Sequence, residues 1–221
     1  MPKILSEIYA LFIKELQLEW KQKYAFNGLL LYVASMVVVI SIAFVNKLNP
    51  LTWNIIFWLI ILFVAINAIA KSFMSERSGH LLYLYTLAHP ISVILAKMIY
   101  NMLLLVIIAF LAWFLYAGLS EMEMADSGLF ASIICLGCAA FATNLTLVSA
   151  IAAKAENKTT LLAVLSFPLI VPVLLILIRA SRFAIEGLEA ASGENNLILL
   201  GGISFMLMLA SVLLFPVIWR D

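Results

Sequence analysis

Charge is what this sequence has least of. Only 11% of its 221 residues are Asp, Glu, Lys or Arg, against 66% hydrophobic. Soluble domains carry about twice that charge, and a single core of this length has no room for so much apolar surface. With a mean hydropathy of +1.15, the chain reads as a membrane protein. A formal net charge of +1 removes any electrostatic case for nucleic acid. Two cysteines, Cys135 and Cys138, imply no disulfide framework. No cleavable signal peptide is expected, because the first 23 residues carry seven charges and no compact apolar stretch. The chain lacks a GxxxxGK[ST] loop, HExxH and GxSxG. No catalytic residue and no metal site is assigned, and the chain is not expected to hydrolyse ATP through such a loop.

What remains is six charge-free stretches, each about the 20 residues a bilayer core requires. They run Tyr24–Val45, Leu51–Ala70, Met98–Leu119, Gly128–Ala153, Leu161–Ile178 and Leu197–Trp219. The predicted architecture is all-α, a single transmembrane domain over residues 1–221. Alternate loops divide the basic residues unevenly. Lys3, Lys14, Lys21, Lys23, Lys71, Arg77, Lys97, Lys154, Lys158 and Arg220 fall on one side, and Lys47, Arg179 and Arg182 on the other. Positive charge accumulates in the cytoplasm, so both termini are expected there. Trp20, Tyr24, Tyr100 and Trp219 near one set of span ends, and Trp53, Trp113 and Tyr116 near the other, mark the two interfaces.

Residues 3–23 predict an amphipathic helix lying on the membrane. Lys3, Ser6, Glu7, Lys14, Gln17 and Lys21 share a polar face, and Ile4, Leu5, Ile8, Leu11, Phe12, Leu16 and Leu18 fill the rest. Glu15 and Glu19 intrude on the apolar side, and Glu19 is spaced to pair with Lys23. The helix serves either as an anchor or as a mechanical part.

Inside the spans there is no ionisable carboxylate, amine, guanidinium or imidazole, which argues against ion-coupled transport, pumping and intramembrane proteolysis. Cys135 and Cys138 fall on a stripe with Ala131, Ala142, Thr146, Ser149 and Ala153, so close helix packing is favoured over redox or metal chemistry. Asn67, Thr143 and Asn144 are expected to form interhelical hydrogen bonds. Pro168 and Pro172 remove two backbone donors from the fifth span and predict a kink or an irregular turn, static or hinge-like. Arg179 and Arg182 are placed at that helix's end, where they complement its dipole and reach headgroups; the sharper alternative is an anionic ligand such as a haem propionate.

The longest break between spans holds Ser75–Pro90, with both histidines, His80 and His89. Gly79 and Pro90 bound a short apolar segment, His80–Leu87, predicted to be a helix, and Ser92 is placed to cap the third span. Leu81, Leu82, Leu84, Tyr85 and Leu87 exceed what a solvated two-turn helix requires, which leaves a face for a partner. Neither histidine has a second ligand in view, so surface or interface roles are favoured over haem ligation.

In order, these parts resemble the permease subunit of a type-2 ABC exporter (ABC-2). Glu76-Arg77, Gly79, Leu81–Leu87, Pro90 and Ile94-Leu95-Ala96-Lys97 resemble the first loop of the cytochrome c maturation protein B family, the haem exporter permease. Leu165–Leu174, with its two prolines, resembles that family's LPLxIPLL element, and the likeness covers nearly the whole chain. Two departures stand: Leu82, Tyr83 and Leu84 where members often carry an acidic residue, and a tail, Leu214–Asp221, without an Ala-rich ending.

The resemblance implies a role in c-type cytochrome biogenesis in the bacterial inner membrane. It implies a separate ATP-binding subunit coupled through Glu76, Arg77, Gly79, His80, Leu81, Leu84, Tyr85, Leu87 and Pro90. It also implies a homodimer of permeases, a haem-handling membrane subunit and a periplasmic haem chaperone, with haem as substrate rather than a firmly bound cofactor. The action is either haem export or ATP-driven release of the loaded chaperone. The alternatives are an ABC-2 permease for a lipid, drug or polysaccharide, and a membrane assembly protein that transports nothing.

Overall fold

The computed structural model describes residues 2–21, 23–44, 48–69, 73, 88–120, 122, 124–155, 157–187 and 190–220. They form seven helices: α1 (Pro2–Lys21), α2 (Lys23–Ala43), α3 (Pro50–Ile69), α4 (Pro90–Ser120), α5 (Ser127–Ala152), α6 (Lys158–Glu186) and α7 (Ala190–Arg220). There is no strand among the described residues. Stretches of α2 to α7 are long and apolar enough to cross a membrane, so the fold is that of an all-α multi-pass membrane protein.

Local chemistry sets the helix ends. The side chain of Asn49 accepts from the Thr52 N–H at 2.7 Å, and Pro50, which has no donor to waste, opens α3. Asp126 caps α5 by accepting from the Leu129 N–H at 2.8 Å. Gly187 ends α6 with φ +66°, and its N–H reaches the Phe183 carbonyl. A side chain there would be strained, and its Cβ would stand 2.9 Å from Ala125.

Three helices run beyond their apolar cores, among them α7, which begins at Ala190 rather than Leu197. α4 begins at Pro90 rather than Met98, so Pro90 opens a spanning helix at the first helical position, and Lys97 lies inside it. α6 runs on to Glu186, which puts Arg179 and Arg182 within the helix rather than at its end. It also stays helical through Pro168 and Pro172, both on its exposed side.

The buried centre is α5, packed against α3, α4, α6 and α7. Cys138, Ala142, Thr146 and Ser149 of the small-residue stripe are buried, while Ala131, Cys135 and Ala153 are partly so. Apolar burial does not drive helices together in lipid, so close backbone approach and packing must do so. Gly137 shows how close: a Cβ there would meet the Leu177 side chain and the Trp58 ring at 2.7 Å. The exterior is apolar, with Leu31, Phe114, Met206 and Leu213 among its most exposed side chains, as a lipid-facing surface requires.

Polar side chains bridge the bundle at places other than those expected. The Asn101 amide donates to Thr146 Oγ1 at 2.8 Å, joining α4 to α5. Asn54 donates to the Ile178 carbonyl at 2.8 Å, Ser181 donates to Asn54 Oδ1 at 2.7 Å, and Trp58 Nε1 donates to Ser181 Oγ at 2.8 Å, joining α3 to α6. Asn67 instead is exposed and closes on the Phe63 carbonyl of its own turn. Thr143 does the same with Ala139 and Ala140. A polar group facing away from a neighbouring helix finds its own backbone first. Asn144 has no partner among the described residues.

Candidate coupling junction

At the end of the bundle where α3 finishes and α4 begins, α1 lies against α4. Its bundle side carries Ile8, Leu11, Phe12, Glu15 and Glu19, all partly buried, while Leu5, Tyr9, Leu16 and Leu18 remain exposed. The apolar flank thus stays free for a membrane surface, and the carboxylates that looked out of place face α4.

With Glu7 from the polar face, three carboxylates of α1 bind the start of α4. Glu7 Oε2 accepts from the Ser92 hydroxyl at 2.9 Å and from the His89 N–H at 3.3 Å. Glu15 Oε1 accepts from Lys97 Nζ at 3.2 Å. Glu19 Oε2 accepts from the Tyr100 hydroxyl at 3.0 Å. Ser92 is the third residue of α4 and does not cap it, since Pro90 already occupies the first position without a free donor. The Glu19 bond runs to Tyr100 on another helix, a partner that the spacing to Lys23 did not suggest.

Lys97 is the centre of the arrangement. Its side chain is 4% exposed and that of Glu15 17%, so both charges are largely withdrawn from solvent. Its Nζ also lies 4.9 Å from the centroid of the Phe73 ring, a cation–π contact. Phe73 donates its N–H to Ser149 Oγ at 3.4 Å and packs against Phe215, with ring centroids 5.6 Å apart. Val93, Ile94, Met98 and Ala150 complete this small core, which joins residue 73 to α4, α5 and α7. An ion pair this dry holds only while both partners are present.

Of the expected coupling residues, Pro90 falls at the start of α4. Glu76, Arg77, Gly79, His80, Leu81, Leu84, Tyr85 and Leu87 lie outside the described residues. His89 is exposed and contributes its backbone N–H to Glu7. Arg182 pairs with Glu186 one turn on at 2.9 Å, which offsets its charge, while Arg179 is exposed on the same helix. Pro168 and Pro172 lie on α6, away from the junction's residues.

The residues that make the junction were only partly readable in advance. Lys97 was visible as the last residue of the Ile94–Lys97 element, and Glu15 and Glu19 as carboxylates on an apolar face. Nothing in sequence spacing joins residue 15 to residue 97, or residue 73 to residue 215.

Six apolar spanning helices packed about α5, with an amphipathic helix locked to the start of α4, have the architecture of an all-α membrane permease. The family model described as CcmB protein matches residues 6–218, nearly the whole chain. The chain belongs to the CcmB family, and is thereby a membrane component of the haem-export ABC system of cytochrome c maturation. Among curated proteins, none matches the chain.

Proposed function

We propose that this chain is the permease subunit of that complex and that a separate ATP-binding subunit docks on residues 74–87. The observation that carries the reading is the anchoring of both ends of that segment. Phe73 before it and His89 to Lys97 after it are tied to α1, α5 and α7 through Glu7, Glu15, Ser149 and Phe215. A push on the segment therefore reaches three helices at once, through an ion pair and a packed aromatic pair rather than a solvated loop.

The ten-to-three division of basic residues supports a cytoplasmic junction and cytoplasmic termini, and the CcmB family supports a bacterial inner membrane. The permease acts as a homodimer beside a haem-handling membrane subunit and a periplasmic haem chaperone. Haem is its substrate, either moved across the membrane or released with the chaperone by the ATP-driven cycle. Arg179, exposed at the opposite end, is a contact for an anionic group there, while Arg182 is offset by Glu186.

Deletion of the gene tests the assignment. Holocytochrome c is lost while haem synthesis and b-type cytochromes remain normal, and the full chain restores it. Normal holocytochrome c in the deletion strain rejects the assignment.

A further inference from the structure

Arg179 and Arg182 stand one turn apart on α6, and their charges are met differently. Arg182 Nε donates to Glu186 Oε2 at 2.9 Å. Arg179 is exposed and makes no hydrogen bond or ion pair among the described residues. Of the two, Arg179 is the one whose charge is left for an outside group.

Two contacts with backbone carbonyls of α6 fix its depth. Asn54 donates to the carbonyl of Ile178, the residue before Arg179, so Arg179 stands level with the start of the second turn of α3. Trp53, next to Asn54, belongs to the aromatic set that marks this interface. On the other side the Asp126 N–H donates to the Ala184 carbonyl at 2.9 Å, which brings Ala184 level with the start of α5. Arg179 is five residues short of Ala184, about 7.5 Å along the axis. It is therefore a turn or so inside the helix ends, at the boundary between headgroups and acyl chains.

The face of α6 that Arg179 heads is apolar and unpacked. By helical periodicity it includes Leu175, Pro172, Val171 and Pro168, all exposed. The helix packs against α3, α5 and α7 through other residues, among them the buried Ile170, Val173 and Leu177. From Arg179 to Pro168 the rise is about 16 Å, and half of a hydrocarbon core is about 15 Å. The strip is as long as one leaflet is deep.

We propose that Arg179 binds the phosphate of a phospholipid in the leaflet opposite the junction, with an acyl chain of that lipid laid along Leu175, Pro172 and Val171. Charge complementarity selects the head: a guanidinium is a planar fork of donors that takes two phosphate oxygens at once, which an ammonium does not match. The unbroken apolar strip selects the tail, since a soluble anion makes no contact with it. Leu177, Ile178 and Ser181 fasten this part of α6 to α3 and α5, so the guanidinium projects from a rigid base. This rests on the reading of Arg179 as a contact for an anionic group, given above, and names the anion.

Native mass spectrometry of the full chain, purified in mild detergent and titrated with dioleoylphosphatidylglycerol, tests it. The wild type is expected to hold one such lipid above the nonspecific background. Arg179→Gln is expected to raise the apparent Kd about tenfold or more, the loss that one charge-assisted hydrogen bond implies. Arg179→Lys, which keeps the charge without the fork, is expected to fall between the two. Removing the neighbouring pair whole, Arg182→Gln with Glu186→Gln, is expected to leave the Kd within about twofold, because a pair that neutralises itself contributes little. Dioleoylglycerol, which has the chains and no phosphate, is expected to bind wild type and Arg179→Gln alike. Equal binding of phosphatidylglycerol to wild type and Arg179→Gln overturns the proposal, and so does a dioleoylglycerol adduct that depends on Arg179. Haem is the separating arm. If haem binds through Arg179 and phosphatidylglycerol does not, the anionic contact stands and the lipid assignment falls. If neither ligand distinguishes wild type from Arg179→Gln, both fall.

Discussion

Lys97 Nζ lies 3.2 Å from Glu15 Oε1, on a lysine whose side chain is 4% exposed and which reaches across from a spanning helix to a surface helix. Removing one partner strands the other charge in a poorly solvated place, which costs about 3–5 kcal/mol in comparable buried pairs. Lys97→Met and Glu15→Gln are each expected to lower the apparent Tm in detergent and reduce holocytochrome c. Exchanging the two, Glu15→Lys with Lys97→Glu, is expected to recover more than half of the lost Tm. No recovery in the exchange variant contradicts a mutual ion pair and leaves each residue to its other contacts.

The Asn54–Ser181–Trp58 network fastens α3 to α6. Asn54→Leu removes the bonds to the Ile178 carbonyl and from the Ser181 hydroxyl, which keeps Leu177 and Trp58 as partners, at a cost of about 0.5–1.5 kcal/mol per bond lost. Asn67→Leu is the control, since the Asn67 amide is exposed and bonds only within its own turn. Thermal unfolding of the two variants side by side is expected to separate them clearly, with Asn67→Leu near the wild type.

At Gly137 the expected effect is steric. A Cβ at 2.7 Å from Leu177 and Trp58 forces the α3, α5 and α6 seam apart. Gly137→Val is expected to destabilise by about 1–3 kcal/mol through overpacking, with Gly201→Val, where a Cβ meets nothing within 4 Å, close to neutral. Tm in detergent checks both.

These comparisons show where sequence reading succeeded and where it failed. The six spans were legible because each is an unbroken apolar stretch, and in lipid that alone demands a helix. Their ends were less so. Lys97 read as the last loop residue before the span at Met98, although a buried charge is tolerated in a helix once Glu15 meets it. Arg179 and Arg182 read as the end of α6, although an exposed turn beyond the apolar stretch carries charge without difficulty. Asn54 was passed over and Asn67 chosen, because composition does not say which face of a helix meets a neighbour. The Glu15–Lys97 and Phe73–Phe215 contacts join residues far apart in the chain, and only tertiary structure brings them together.

Cys138 is fully buried and Cys135 partly so, on the packed face of α5. If they serve packing, replacing both with Ala is expected to leave holocytochrome c unchanged under reducing and oxidising growth alike. A loss that tracks the oxidant supply points to thiol chemistry instead.

The central claim is that residues 74–87 take the push of an ATP-binding partner and pass it to the bundle through Lys97. The direct measurement is co-purification from membranes in mild detergent, wild type beside Tyr85→Glu. The account predicts that the wild-type chain brings a nucleotide-binding subunit with it. The Tyr85→Glu chain is predicted to reach the membrane in equal amount and lose that subunit. An undiminished complex with Tyr85→Glu, or a wild-type chain that brings down no ATP-binding subunit, contradicts it.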